Sequence, residues 1–320
     1  MSLRNHRLSL PQIQSAYELI RAPFKHSPQY VVPGLSKHLG VELVAKIEAL
    51  NPIRSFKARG AEILAARASS DEKIICASAG NFGQAVAYSC SARNIQCTVY
   101  ASKHANKLKV KMMRAFGAQV ILAGEDFDEA KVHAKAEAGR VGARFVEDGL
   151  DIETLEGAGS IGLELLELDR PLDVLLIPLG NGALASGIAR VVKEKNPTTK
   201  VIVVQAQGAS AMVASLRTQS YIENEAVSTI CDGIAVRTPV KQSLIDLAPL
   251  IDDTLLVSDD TTIKAMQIIH QEMGLVCEPS GAVGISALLD DLSRFQGQRV
   301  GTILCGGNVT PQQMKMWLNV

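Results

Sequence analysis

Short apolar runs alternate with longer helical patterns along most of this chain, and that alternation constrains its fold more than any other feature. Runs suited to strands lie at 41–48, 74–77, 98–101, 119–122, 144–146, 174–178, 201–205, 254–257 and 302–304. Helical patterns fill the intervals at 84–93, 107–116, 129–138, 155–168 and 184–195. Strands that alternate with helices argue for an α/β fold, with twisted, mostly parallel sheets flanked by helices. Ser258 before Asp259 and Asp260 predicts a helix start, because the acids sit near its positive end. Pro311 suits the first turn of a final helix. In open α/β sheets ligands bind beyond the carboxyl ends of strands, so the loops that follow strands are the places to look for chemistry.

Composition narrows the classes of function. The chain has 320 residues, enough for two lobes with cores of their own, and is 47% hydrophobic and 21% charged. Its formal net charge is zero, and no basic run is interleaved with aromatics, so no nucleic-acid partner is expected. The six cysteines are scattered without a Cys-x-x-Cys pair. That argues against a zinc site or a disulfide framework and fits a reducing cytoplasmic setting. The six histidines lack metal-ligand spacing, so no metal site is expected. Residues 1–14 contain no apolar core of signal-peptide length, and no run reaches the length of a membrane span.

Four loops carry chemistry. The first, Ser55-Phe56-Lys57, puts a lysine at the mouth of a predicted helix just after a strand. Most lysines are solvated surface charges, but one in this position can form a Schiff base. The second, Ser78-Ala79-Gly80-Asn81-Phe82, opens into a helix, so backbone N–H groups, a hydroxyl and an amide converge as a small carboxylate requires. A serine-capped Asn-Gly turn is the plainer reading. The third, Gly180-Asn181-Gly182-Ala183-Leu184, precedes a helix whose N-terminus suits a phosphate. It lacks the third glycine of a dinucleotide fingerprint, where Ala185 stands, and the Gly-Lys of a Walker loop. Asn181 tolerates left-handed geometry, whereas Ala183 requires an ordinary backbone angle. The fourth, Cys305-Gly306-Gly307-Asn308, follows the last strand, and its plain reading is a buried inert cysteine. Near it, Glu278-Pro279-Ser280-Gly281 opens another helix, with Ser280 as its expected cap.

In this order and combination the four motifs resemble the fold-type II pyridoxal-phosphate enzymes, and most of all the threonine/serine dehydratase and serine racemase branch. The resemblance covers nearly the whole chain and implies the two-lobed, tryptophan synthase β-like fold. It implies a large cofactor-binding domain from residues 1–72 and 150–320, and a small mobile domain at 73–149 bearing the substrate-carboxylate loop. By this resemblance Lys57 is the residue that carries pyridoxal 5'-phosphate covalently and later moves the Cα proton. Phe56 packs under the cofactor ring, and Ser78, Ala79, Gly80 and Asn81 bind the substrate carboxylate. Asn81 also reaches the cofactor's phenolic oxygen, Gly180, Asn181, Gly182, Ala183 and Leu184 hold its phosphate, and Cys305 faces its ring nitrogen. The implied activity is β-elimination of a hydroxy-amino acid such as L-threonine or L-serine to a 2-keto acid and ammonia. Amino-acid racemisation or another β-elimination or replacement is the alternative. A homodimer is the family expectation.

Departures from the family pattern bear on the substrate. Phe82 stands where a histidine is common, and Ile53-Arg54 where Thr-Gly usually precedes the lysine motif. Arg54 is either a plain exposed residue or a charge aimed at a substrate carboxylate. Racemases of this group carry a serine at the position of Ala79, and alanine cannot supply the second acid/base that racemisation needs.

Overall fold

The computed structural model describes residues 6–320. The first five residues of the leader read at 1–14, and of the segment 1–72, lie outside the described residues. The strands are β1 (Gln29–Val31), β2 (Glu42–Ile47), β3 (Lys73–Ala77), β4 (Gln96–Ala101), β5 (Gln119–Leu122), β6 (Arg144–Val146), β7 (Val174–Pro178), β8 (Lys200–Ala206), β9 (Asp253–Val257) and β10 (Arg299–Leu304). They form a six-stranded sheet ordered β1-β2-β10-β7-β8-β9 and a four-stranded sheet ordered β5-β4-β3-β6.

The inner strands are buried on both faces, which is why they read as apolar runs, whereas edge strand β5 is only partly covered. Val174 and Leu176 of β7 pack into the core on one face, and Leu175 and Ile177 into the core on the other. Ile202 and Val204 of β8 divide from Val201 and Val203 in the same way. In the smaller sheet Ile74 and Cys76 oppose Ile75 and Ala77. Such period-two division with no polar face is the mark of a parallel sheet covered twice. All pairings are parallel except β1 with β2, which is antiparallel. The alternation did not signal β1, because Tyr30 and Val31 are exposed on a short edge strand.

The helices are α1 (Leu10–Tyr17), α2 (Pro33–Leu39), α3 (Lys57–Arg67), α4 (Asn81–Ser91), α5 (Lys107–Ala115), α6 (Phe127–Val141), α7 (Ile152–Leu165), α8 (Ala183–Lys195), α9 (Ala211–Thr218), α10 (Lys241–Leu247), α11 (Asp259–Met273), α12 (Pro279–Asp290), α13 (Leu292–Phe295) and α14 (Pro311–Leu318). As expected, Ser258 caps α11 by accepting from the Thr261 N–H, and Pro311 opens α14. Among the described residues no helix is long and apolar enough to cross a membrane. Helices α3 and α7 touch backbone to backbone, and a Cβ on Gly157 would run into the backbone nitrogen of Gly60. That contact fixes α3, and with it Lys57, against the body of the protein.

Strand order decides where the loops meet. In the larger sheet β7, β8 and β9 run outward in one direction while β10 lies on the other side of β7. In the smaller sheet β3, β4 and β5 run outward and β6 lies on the other side of β3. Both reversals open a crevice at the carboxyl ends, where α/β sheets bind ligands.

Candidate active site

Three neighbouring strands of the larger sheet, β2, β10 and β7, send their following loops into one cleft. The segment after β2 runs antiparallel to the segment after β10. Phe56 N–H donates to the Cys305 carbonyl at 3.1 Å and Gly307 N–H donates to the Arg54 carbonyl at 2.9 Å. Those bonds bring two motifs that are far apart in sequence side by side. Arg54 turns the corner with φ +52° and leaves its side chain exposed and outside the cavity, so the plain reading of this residue holds. Lys57 is the first residue of α3. Its Nζ lies 4.4 Å from the Phe56 ring centroid and donates to Asp148 Oδ2 at 2.7 Å. Asp148 follows β6, and its Oδ1 is buried without a partner.

The loop after β3 brings Ser78, Ala79 and Gly80 to the same cavity. Helix α4 begins at Asn81, three residues before the expected start at 84, so Asn81 and Phe82 lie in its first turn. Ser78 Oγ accepts from the Gly80 and Gly83 N–H groups at 3.2 and 2.9 Å. The capping role of the plain reading is therefore real, and it leaves the hydroxyl hydrogen free to donate. Phe82 is buried in the core of the smaller sheet while also lining the cavity. Asn81 Nδ2 donates to the Glu278 carboxylate at 2.8 and 3.1 Å, and its Oδ1 accepts from Asn308 Nδ2 at 2.9 Å.

The loop after β7 differs in one respect from the sequence reading. Its left-handed residue is Gly182, at φ +90°, and not Asn181. A residue without Cβ takes that position at no steric cost, so Asn181 is spared it. Ala183 has an ordinary angle as the first residue of α8. No side chain caps α8, so its first N–H groups and the positive end of its dipole are available to an anion.

Ser280 is not a cap. Glu278 holds the N-cap position of α12 without a side-chain cap bond, because Pro279 starts the helix and carries Ser280 into its first turn. Ser280 lines the cavity, is 1% exposed, and its Oγ has no partner. Burial pushes the Cys305 thiol well above the usual range, with the Glu278 charge adding to the effect, so it is a neutral thiol. Burial, reinforced by Asp232, pushes the Glu278 carboxyl up to about 7 against Lys109 and the Asn81 hydrogen bond. A carboxyl raised in the folded state stabilises fully below its unfolded value of 4.5, and that stability is lost as pH rises through 7. Glu278→Gln is therefore expected to remove a loss of roughly 3 kcal/mol between pH 4.5 and 8 from the cofactor-free protein. Urea unfolding of both proteins across that range checks this, and parallel stability curves would contradict it.

Phe56, Lys57, Ser78, Ala79, Gly80, Asn81, Gly180, Asn181, Gly182, Ala183, Leu184 and Cys305 all line a single cavity of about 470 Å³. That volume falls in the range of roughly 300–1,000 Å³ typical of ligand sites. Asp148, Glu278 and Asn308 were not assigned to the site from sequence. Glu278 and Asn308 lay inside noted motifs, whereas Asp148 had only its place two residues beyond a strand to mark it.

Fold and cavity together define an α/β enzyme whose site lies between two sheets. The sequence model of the pyridoxal-phosphate dependent enzymes matches residues 23–306. L-threonine ammonia-lyase of Thermotoga maritima is 34% identical over 288 residues, covering 89% of this chain and 72% of that one. The biosynthetic L-threonine dehydratase of Salmonella typhimurium is 31% identical over 300 residues, and the match spans 91% of this chain but only 58% of that enzyme. Maize serine racemase superposes with a TM-score of 0.90 at 26% identity over 96% of each chain. The chain belongs to the pyridoxal-phosphate dependent enzyme family, and its cofactor is pyridoxal 5'-phosphate. The residues present fit that group: an uncapped helix start with a glycine at φ +90° for the phosphate, an unpartnered buried hydroxyl at Ser280, a neutral thiol at Cys305, and a lysine amine.

Proposed function

We propose that this protein is a pyridoxal-phosphate-dependent ammonia-lyase. It converts a hydroxy-amino acid such as L-threonine or L-serine to a 2-keto acid and ammonia. The observation that carries this reading is the make-up of the cavity lining: it holds the amine of Lys57, while the loop read as the carboxylate loop contributes only a methyl group at Ala79. An eliminating enzyme needs one base at Cα, whereas a racemase needs an acid/base on each face.

The cofactor, when bound, supplies the electron-withdrawing ring that makes the Cα proton removable. Lys57 holds the cofactor and takes that proton. Phe56 would pack beneath the ring. The backbone N–H groups of Gly180, Asn181, Gly182, Ala183 and Leu184, at the start of α8, would hold the phosphate. Cys305, a neutral thiol, would face the ring nitrogen without protonating it, which would favour prompt loss of the β-substituent. Ser78, Ala79, Gly80 and Asn81 would bind the substrate carboxylate, and Asn81 would also reach the cofactor's phenolic oxygen. Residues 73–149 act as the small domain and close over the substrate, while 1–72 and 150–320 form the large one. The separate four-stranded sheet of β3–β6 supports that division, and ion pairs from Lys109 to Asp232 and from Arg237 to Asp128 join the two parts.

Proton NMR in heavy water, with added cofactor and L-threonine or L-serine, tests the reading. Appearance of 2-oxobutyrate or pyruvate is the expected result. Loss of the Cα proton signal without a keto acid would instead favour racemisation, the second reading, which the likeness to maize serine racemase supports. We further propose a cytoplasmic homodimer. Six free, buried cysteines agree with a reducing compartment, and exposed Tyr30 and Val31 on edge strand β1 offer a face for a second copy. A sedimentation mass of one chain would refute the dimer.

A further inference from the structure

We propose that Asp148 is the proton carrier that turns the departing β-hydroxyl into water. The inference rests on the elimination reading above and extends it to a residue with no role assigned there. Lys57 Nζ donates to Asp148 Oδ2 at 2.7 Å, so the amine that takes the Cα proton touches a carboxylate able to receive it. The other oxygen, Oδ1, is buried without a partner, while the side chain as a whole is 15% exposed and lines the cavity.

The remaining carboxyl groups around the cavity are occupied. Asp232 pairs with Lys109, Asp128 pairs with Arg237, and Asp126 accepts from the Glu129 N–H as the cap of α6. Glu278 is held by Asn81 and by the Asn308 N–H. Asp148 is also held firmly in place. The next residue, Gly149, has φ +83°, donates its N–H to Thr154 Oγ1 at 3.2 Å and accepts from Ser243 Oγ at 2.9 Å. A carboxylate fixed beside the base, with its second oxygen unpartnered among the described residues, is preorganised for proton transfer.

The step balances without a further reactant. The Cα–H bond breaks and an N–H bond forms on Lys57, which passes a proton to Asp148. The carboxylic acid so formed gives that proton to the β-oxygen as the Cβ–O bond breaks. The electron pair of the Cα–H bond becomes the Cα=Cβ bond, and the Cβ–O pair leaves with water. Lys57 and Asp148 return to their starting protonation states.

A leaving group that needs no proton separates this role from a structural one. The cofactor-loaded wild type and Asp148→Asn would be compared on L-serine and L-threonine and on β-chloro-L-alanine, from which chloride departs unaided. Cα–deuterium exchange would be followed by NMR and cofactor retention by absorbance. We expect the variant to retain cofactor and exchange, to lose at least about 100-fold in hydroxyl elimination and to lose less than about tenfold in chloride elimination. Asp148→Ser replaces it if the asparagine variant does not fold. An equal loss on both kinds of substrate, or undiminished hydroxyl elimination, overturns the proposal. A wild type that releases chloride but never hydroxyl also overturns it. One that releases neither overturns the elimination reading beneath it.

Discussion

Replacing Lys57 with alanine is expected to abolish covalent retention of the cofactor and to lower turnover by at least about a thousandfold. Lys57 opens α3, its amine reaches into the cavity from the large-sheet side, and no other cavity lysine is placed to substitute. Lys109 is the other lysine lining the cavity, and it is engaged by Asp232. Losing the amine removes both the attachment and the proposed base, so the two effects should appear together. Borohydride reduction followed by peptide mass analysis gives the clearest check. The wild type should carry the cofactor's added mass on the peptide that contains Lys57, and the variant should carry none. An added mass on another lysine, or normal turnover in Lys57→Ala, would refute the assignment. The fold should survive, because Lys57 is only partly buried and, among the described residues, its ion pair is with Asp148 alone.

The second large effect is on stability. Arg59, two residues beyond Lys57, is 1% exposed and binds two buried carboxylates at once. It meets Glu48 with Nε and Nη2 at 2.9 and 2.8 Å and Glu164 with Nη1 and Nη2 at 2.7 and 2.8 Å. Lys46 donates to Glu164 at 2.5 Å. Burial alone would raise the Glu164 carboxyl, but hydrogen bonds from Arg59, with the nearby Lys46 charge, hold it at about 2. Arg59→Met keeps much of the volume and leaves Glu48 and Glu164 facing one lysine, so a buried negative charge goes uncompensated. Breaking such a cluster costs about 3–5 kcal/mol, a large share of the roughly 5–15 kcal/mol that holds a typical domain together. Arg59→Lys should recover only part of it, because an ammonium cannot fork to two carboxylates. Chemical denaturation of the three proteins checks this, and a loss below about 1 kcal/mol for Arg59→Met would show that the cluster is not what anchors α3.

Much of this protein was legible without coordinates. Each strand of the larger sheet except β1 betrays itself as an apolar run, because residues such as Leu175 and Leu176 are buried on opposite faces. Loop chemistry is equally local. A lysine at a helix start, a glycine-rich turn before α8 and a serine before Gly80 carry their signals in a few neighbouring residues. Helix starts were less exact, as the early beginning of α4 shows, because Asn81 suits a loop and a first helical turn alike. Ser280 was misread for a related reason: a serine near a helix start resembles a cap, and only the backbone reveals that Pro279 has already begun the helix.

The sequence by itself determined the class of fold, the loops that bear chemistry and the residue types within them, since these depend on period, burial and short-range backbone preference. Only the tertiary structure decided which loops face one another. Strand order sets the loop after β2 beside those after β10 and β7, and sets the loop after β3 beside the one after β6. No local pattern encodes that order, because it follows from how whole sheets and helices bury their faces together. For the same reason the partners of Lys57 and Asn81, namely Asp148 and Glu278, emerged only in three dimensions. Each is an ordinary acid in its own stretch of chain and becomes part of the site through a contact spanning 91 residues in one case and 197 in the other.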